Sequence, residues 1–297
     1  MKREEDLQIN KPFKKEEVKN IKRTWYKFSR NHINIFGLVI VFIIVFVTIF
    51  AHYITPYPES ADRYVNFSEA KKPPTIQHIF GTDTYGRDIF TRVIFGFRYS
   101  LKMAISVVSI VVPVGVILGL TAGYFQGTWI EIIIMRATDI FLSIPALILA
   151  MAICSVLTPT LINSMIAISI MWWPWYCRIV YGNTISLRGE FFIQSAEVIG
   201  AGKLHILFKE ILPNCLPIIL TKATLDLGLI ILLGASLSFV GLGAQPPIPD
   251  LGTMVADGAK YLPELWWLAI FPALGIVMIV LGFNLLGDGI HDIFKES

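Results

Sequence analysis

The chain is organised around the segment from Glu190 to Pro213, which reads EFFIQSAEVIGAGKLHILFKEILP. It is a polar island between two long apolar tracts, and it carries two apolar repeats at helical spacing. The repeats consist of Phe192, Ser195, Ala196 and Ile199, and then of Leu204, Leu207, Phe208, Ile211 and Leu212. Between them, Gly200 can take the positive φ of a sharp chain reversal, and Pro213 ends the second repeat. The pattern predicts a helical hairpin, either for docking on a soluble partner or as an ordinary interfacial loop.

Composition identifies the class of protein before any motif is considered. Of the 297 residues, 55% are hydrophobic and 16% are charged, whereas a soluble domain of this length has about 25% charged residues. With a mean hydropathy of +0.64, the chain is predicted to lie in a lipid bilayer. Its net charge of +3 is too small to indicate a nucleic-acid partner. Cys154, Cys177 and Cys215 fit no disulfide framework or metal spacing, and are interpreted as small core residues.

Six apolar tracts are long enough to cross the bilayer as helices. They cover residues 36–54, 101–124, 130–156, 161–179, 216–240 and 265–286. The basic segment before the first tract predicts a cytoplasmic N-terminus by the positive-inside rule. Six crossings then place the C-terminus and the hairpin on the cytoplasmic side as well. We therefore expect an all-α membrane protein with six transmembrane helices and both termini in the cytoplasm.

Two groups of residues predict how the spans pack and where they meet the membrane surface. Gly115, Gly119 and Gly123 recur every fourth residue, and such a face of small residues lets another helix approach closely. A cluster of aromatic residues ends the fourth span, where aromatic side chains are expected at the inner membrane interface. The cluster consists of Trp172, Trp173, Trp175 and Tyr176.

The segment after the first span contains a compact group of charges. Asp83, Arg87 and Asp88 lie among glycine turns and can form an external ion-pair knot. Asp88 can also cap the helix that follows it. A structural role is preferred here over contact with a substrate. His78 lies close by, and it is interpreted as a satisfied surface histidine in preference to a nickel contact.

Two further pairs of charges lie within the predicted spans, where ionisable groups are costly. Arg136 and Asp139 are three residues apart near the cytoplasmic end of span three. Lys222 and Asp226 are four residues apart in span five. The second pair is either a functional site or a self-neutralised pair near the cytoplasmic end with Lys222 extended toward the membrane surface.

The motifs of common catalytic sites are missing from the sequence. The 297 residues contain no GxxxxGK[ST] phosphate loop, no HExxH zinc motif and no GxSxG nucleophile elbow. The five histidines have no neighbours at the spacing of zinc ligands. We therefore expect no catalytic residues, no cofactor and no metal site.

Several blocks of the sequence resemble the permease subunits of ABC importers. Ser195-Ala196, Gly200, Ile206 and Pro213-Asn214 resemble the EAA loop of that family, although Gln194 stands where a glutamate is usual. Other similar blocks are FGTD at 80–83, MR..D.....P at 135–145, LSFVGLG at 237–243 and NLLGDG..D at 284–292. The resemblance covers most of the chain and is strongest to the second permease subunit of the dipeptide, oligopeptide and nickel group.

This resemblance implies a type I importer permease with a MetI-like core. It divides the chain into a basic cytoplasmic tail over 1–34, a first transmembrane helix with an external segment over 35–98, and a five-helix permease core over 99–297. Within the core, residues 188–214 are expected to be the coupling loop that seats in a groove of a cytosolic ATPase. The expected coupling residues are Gln194, Ser195, Ala196, Gly200, Ala201, Leu204, Ile206, Leu207 and Pro213.

The resemblance also implies partners and a function. The expected partners are a second homologous permease, two cytosolic ATP-binding subunits that hydrolyse ATP, and an extracellular or periplasmic solute-binding protein. The chain would then translocate di- and oligopeptides, with nickel or oligosaccharides as alternative cargoes. A stand-alone ion-coupled secondary transporter that uses Lys222 and Asp226 is a hypothesis of another class. A membrane-embedded enzyme is the third hypothesis.

Overall fold

The chain folds into a bundle of helices, seen in a computed structural model that describes residues 25–295. The principal helices are α1 (His32–Ile49), α2 (Ile89–Tyr124), α3 (Trp129–Leu142), α4 (Ala146–Val156), α5 (Leu161–Arg188), α6 (Phe191–Val198), α7 (Lys203–Phe239), α8 (Leu251–Ala259) and α9 (Trp267–Lys295). A short helix at Ala51–Ile54 and two 3₁₀ turns, Pro58–Ala61 and Phe67–Glu69, lie between α1 and α2. Most of the predicted basic tail lies outside the described residues.

Four of these helices, α1, α2, α7 and α9, are long and apolar enough to cross a membrane. The pair α3 and α4 provides a fifth crossing if it is counted as one broken span. Helix α5 is less apolar than these helices, because polar residues and two arginines, Arg178 and Arg188, lie among its apolar side chains. The helical class is confirmed, whereas six crossings and the cytoplasmic position of both termini stay predictions.

The expectation of one continuous helix over 130–156 is wrong. Helices α3 and α4 meet at a bend of 88°, and Pro145 occupies the position just before α4. Proline disfavours the helical conformation in the residue before it and has no N–H for the helical ladder. The chain therefore breaks at Pro145.

Helix α2 is longer than the predicted second span. The expected external helix and the span over 101–124 form one helix of 36 residues, about 54 Å long at 1.5 Å per residue. Asp88 begins this helix by accepting a hydrogen bond from the backbone N–H of Thr91 at 2.8 Å. Because the hydrocarbon core of a bilayer is about 30 Å thick, several turns of α2 extend beyond the membrane.

Glycines set the distance between α2 and α5. A Cβ atom on Gly119 would lie 2.6 Å from the carbonyl oxygen of Cys177, and one on Gly123 would lie 2.6 Å from Cβ of Thr184. The close approach predicted for this glycine face is confirmed. The main hydrophobic core forms where α2, α5, α7 and α9 meet, and α1 packs against α9.

Candidate functional site

Helix α6 and the first turns of α7 form the predicted helical hairpin. Gly200, two residues after the end of α6, has a φ of +88°. The N–H of Gly200 donates to the carbonyl of Glu197, and the N–H of Ala201 donates to the carbonyl of Ala196, both at 3.0 Å. These two bonds form a Schellman motif, in which glycine takes the left-handed conformation. The predicted chain reversal at Gly200 is confirmed.

The inner face of the hairpin is anchored in a second hydrophobic core. Ile193 of α6 and Ile206 and Ile211 of α7 are fully buried against Leu120 of α2 and Val180 of α5. Ala196, Ala201 and Leu207 also pack on this core. The hairpin is therefore held firmly to the two helices that lie behind it, α2 and α5.

The two apolar repeats predicted for the hairpin are only partly correct. The members of each repeat do not share one face, since Phe192, Ile199 and Leu204 are exposed whereas Ile211 is buried. In α6 the inner position is taken by Ile193, which lies outside the predicted repeat. In α7 the residues Ile206–Ile211 form a π turn. In a π turn the residues five apart are paired, so Ile206 and Ile211 lie on the same inner face together with Leu207.

The expectation that Pro213 ends the second helix is also wrong. Helix α7 continues through Pro213 into the apolar span without interruption. The π turn ends directly before this point, and Pro213 occupies one of the first two positions of the α-helical part. At such positions the missing N–H of proline costs little, because the first turn of an α-helix leaves its N–H groups unpaired.

The outer face of the hairpin is an exposed apolar patch, which we call the tip. The tip consists of Phe191, Val198, Ile199 and Leu204, whose exposed fractions run from 71% to 87%. Gln194 and Ser195 lie beside it and are exposed. The side-chain amide of Gln194 donates to the carbonyl of Gly189 at 3.1 Å, so this uncharged residue makes a local contact within the hairpin.

Polar contacts tie the hairpin to the end of α2. The hydroxyl of Tyr124 donates to Oε1 of Glu197 at 3.4 Å, and the Arg188 guanidinium lies 5.4 Å from the centre of the Tyr124 ring. Lys203 lies 5.2 Å from the centre of the Phe125 ring. Local sequence patterns do not reveal these contacts, because the partners are about 70 residues apart. They join α2 directly to the segment that carries the tip.

The external charges form two separate groups instead of the single predicted knot. Oδ2 of Asp83 accepts a hydrogen bond from Nε of Arg87 at 2.7 Å and lies 3.7 Å from Nε of Arg92. Asp88 does not join this pair, because its two oxygens contact the Thr91 N–H and Nδ1 of His78, the latter at 2.9 Å. Arg92 joins the first group and His78 the second, and neither was predicted to take part.

His78 is not the surface residue that the sequence analysis expected. It is 8% exposed and stacks on Tyr57 with 4.8 Å between ring centres. Its Nε2 atom lies 3.8 Å from Glu69, which also pairs with Lys72 at 2.5 Å. The hydrogen bond from Lys72 lowers the pKa of Glu69. His78 therefore connects the external segment to the first turn of α2.

The pair inside span five is part of a larger buried cluster. Nζ of Lys222 lies 2.9 Å from Oδ1 of Asp226, and the Trp172 indole N–H donates to Oδ2 of Asp226 at 2.9 Å. Lys222 also faces the rings of Trp172, Trp175 and Tyr176, at 5.4 to 5.9 Å from their centres. The interpretation of the aromatic cluster as an interfacial belt is wrong for Trp172 and Tyr176, because both are buried against this ion pair.

The charges of span three pair differently from the prediction. Asp139 of α3 pairs with Arg178 of α5 instead of with Arg136, and Arg136 is exposed. Both partners are about half exposed. Sequence spacing favoured the neighbour three residues away, whereas the fold brings α5 alongside α3.

Comparison with known proteins identifies the family. Residues 115–297 match the family described as binding-protein-dependent transport system inner membrane component. Residues 20–74 match the N-terminal TM domain of oligopeptide transport permease C. Both matches agree with the resemblance found in the sequence motifs, which is thereby confirmed.

Named relatives cover most of the chain. The dipeptide transport system permease protein DppC of Alkalihalophilus pseudofirmus is 41% identical over 90% of this chain and 86% of its own length. The probable D,D-dipeptide transport system permease protein DdpC of Escherichia coli is 36% identical over 99% of this chain and 97% of its own. The glutathione transport system permease protein GsiD of Escherichia coli is 41% identical over 90% of this chain and 88% of its own length.

A solved structure has the same fold. A chain of the MetNI methionine ABC transporter, in an inward-facing conformation, superposes with a TM-score of 0.56 at 20% identity. The match covers 67% of this chain and 94% of that one, which confirms the MetI-like type I core. Given its helical spans and these matches, the chain belongs to the inner-membrane components of binding-protein-dependent transport systems, the multi-pass ABC importer permeases of the cytoplasmic membrane.

Proposed function

We propose that this chain is one of two permease subunits in an ATP-driven importer of peptides. An external solute-binding protein delivers the cargo, and two cytosolic ATP-binding subunits hydrolyse ATP. ATP hydrolysis is assigned to those subunits, since the 297 residues of this chain contain no GxxxxGK[ST] motif for a phosphate loop. The relatives named for dipeptides, D,D-dipeptides and glutathione support a peptide cargo.

The observation that carries the proposal is the contrast between the two faces of the hairpin. The tip exposes four apolar side chains, while Ile193, Ile206 and Ile211 fix the opposite face in the core. A fixed apolar patch on a surface is typical of a protein interface. Residues 188–214 therefore dock on the ATP-binding subunit, with the tip in its groove.

The mechanism is a shift between two conformations of the importer. ATP binding brings the two ATPases together, and they move the docked hairpins of the two permeases. The buried isoleucines and the contact between Tyr124 and Glu197 pass that movement to α2 and α5. The spans then change from inward-open to outward-open, and the binding protein releases the peptide into the path.

The segments of the chain follow from this arrangement. The basic segment 1–34 lies on the cytoplasmic side, residues 35–98 provide the first crossing and the external segment, and residues 99–297 provide the five-helix core. Both termini are cytoplasmic in this proposal. Helix α5 covers the apolar tract predicted over 161–179 and supplies the sixth crossing. A helix packed among other helices can carry polar side chains, because protein instead of lipid surrounds it.

Replacing Gly200 by valine tests the role of the hairpin. Valine disfavours the φ of +88° at this position, so Gly200→Val should abolish peptide uptake and retention of the ATPases. The chain should still insert in the membrane. Gly241→Val is the matched control, because Gly241 has φ +86° and equally open surroundings at the other end of α7. Unchanged coupling in Gly200→Val would refute the assignment of residues 188–214.

Two further assays test the cargo and the class of transporter. Binding of peptides, oligosaccharides and nickel to the companion solute-binding protein identifies the cargo, and selective binding of nickel or sugar would refute peptides. The purified chain in liposomes should not move solute under an ion gradient. Uptake by the chain alone would instead support the ion-coupled transporter that uses Lys222 and Asp226.

A further inference from the structure

The outer half of α2 carries two basic side chains that have no partner in the described part of the chain. Arg98 and Lys102 lie one helical turn apart, and both are exposed. Neither makes an ion pair or side-chain hydrogen bond within residues 25–295. They line an open groove of about 480 Å³, whose other titratable groups include His52 and Asp62. Two fixed cations and one acid give this groove a positive charge.

The position of the groove along α2 places it at a membrane surface. Lys102 lies roughly 33 Å from Tyr124 along the helix axis, at 1.5 Å per residue. Tyr124 contacts the hairpin, and the hydrocarbon core of a bilayer is about 30 Å thick. Arg98 and Lys102 therefore lie at the level of the lipid headgroups on the side opposite the hairpin.

The surroundings of the groove favour a lipid over a hydrophilic solute. On the membrane side of Lys102, α2 exposes Ile105 and Ile110, and the neighbouring end of α1 exposes Phe46 and Ile49. A solute that carries a carboxylate would have to pass from the cations onto these apolar surfaces. A phospholipid has its anionic phosphate at headgroup level and apolar chains below it, which matches the order of charged and apolar residues here.

We propose that this groove binds the phosphate of an anionic phospholipid in the outer leaflet. Arg98 and Lys102 donate to the phosphate oxygens, and the guanidinium of Arg98 can donate two parallel hydrogen bonds. The acyl chains lie along Ile105 of α2 and Phe46 of α1. The lipid would thereby join the outer ends of α1 and α2. The inference needs the membrane setting of the chain but not the nature of its cargo.

Native mass spectrometry of the purified importer complex tests this site. The probes are phosphatidylglycerol and zwitterionic phosphatidylcholine, added after the complex has been stripped with detergent. Each basic residue near an anionic surface contributes about fivefold to lipid binding. The double variant Arg98→Gln/Lys102→Gln should therefore retain at least fivefold less phosphatidylglycerol than the wild type. Lys71→Gln/Lys260→Gln removes two external cations outside the groove and should retain the wild-type amount.

Several outcomes would overturn the proposal. Equal retention of phosphatidylglycerol by wild type and Arg98→Gln/Lys102→Gln would do so. Displacement of the lipid by a dipeptide would make the groove a cargo site, and displacement by inorganic phosphate alone would make it a simple anion site. If the double variant fails to assemble, the test is the lipid preference of the wild-type complex. The wild type should retain more phosphatidylglycerol than phosphatidylcholine, and equal retention of the two lipids would overturn the proposal. Failure of peptide transport would not alter this lipid measurement, so the two proposals fail separately.

Discussion

Nζ of Lys222 lies 2.9 Å from Oδ1 of Asp226, one turn farther along α7, and the two charges are enclosed by side chains of α5. Asp226 is fully buried, and its second oxygen accepts the Trp172 indole N–H. The Lys222 amine, both Asp226 oxygens and the Trp172 indole N–H therefore each have a partner within this group. That geometry favours a pair that joins α5 to α7 over a site that binds a transported ion.

The Lys222–Asp226 pair predicts a strong double-mutant effect. Either single change, Asp226→Asn or Lys222→Met, should destabilise the importer complex, by about 3 kcal/mol where a buried charge loses its partner. The double variant should recover assembly and transport, because no unpaired charge remains. Thermal unfolding and peptide uptake of all four forms check this. A double variant that is stable but inactive would instead show that the pair takes part in transport.

The glycine face predicts opposite effects of one substitution at two positions. Gly119→Ala should destabilise the complex by about 1–3 kcal/mol, because the added Cβ would meet the Cys177 carbonyl and Val180. Gly182→Ala in α5 meets nothing within 4 Å, so the higher helix propensity of alanine should leave stability unchanged or raised. Melting temperatures of the purified complexes measure the difference. Equal effects at both positions would contradict the packing of α2 on α5.

Asp250 predicts a pH dependence outside the membrane. Burial raises the pKa of this carboxyl above 3.8, although the N–H and hydroxyl of Thr253 lower it in part. The folded state therefore holds this proton more tightly than the unfolded state. The pKa of Asp250 is about 3.8 in the unfolded chain and higher in the folded one. As the pH rises through this interval, the contribution of Asp250 to the free energy of unfolding therefore decreases. The melting temperature of the wild type should thus rise relative to that of Asp250→Asn as the pH is lowered from 7 to 4.

Asp250→Asn keeps an oxygen acceptor at the start of α8, since asparagine also caps helices well. Glu264→Gln controls for the loss of one external acid, because Glu264 is exposed. This control should follow the wild type across the same range of pH. A constant difference between wild type and Asp250→Asn would contradict the assigned effect of burial.

The number of crossings predicts a labelling pattern around α5. In a background without native cysteines, Ser195→Cys in the hairpin should react with an impermeant maleimide only from the cytoplasmic side. Pro159→Cys, in the exposed turn before α5, should react only from the outside. Labelling of both positions from one side would show that α5 does not cross, and the count of six spans would then be wrong.

Local sequence was sufficient to predict the helical class, the apolar tracts and the chain reversal at Gly200. Each depends on local chemistry, because hydropathy and glycine conformation act over a few neighbouring residues. The motifs between residues 80 and 292 also identified the family, because a motif is recognised from its residues without knowledge of their contacts. The pair Lys222 and Asp226 was found because its members are one helical turn apart.

Side-chain contacts between distant parts of the chain could be found only in the tertiary structure. Arg178 reaches Asp139 from another helix, and Trp172 joins Asp226, although spacing along the sequence predicted neither contact. The π turn at Ile206–Ile211 likewise moved the buried face of α7 away from the regular repeat. Such partners depend on how helices far apart in sequence pack together, and local periodicity contains no information about that arrangement.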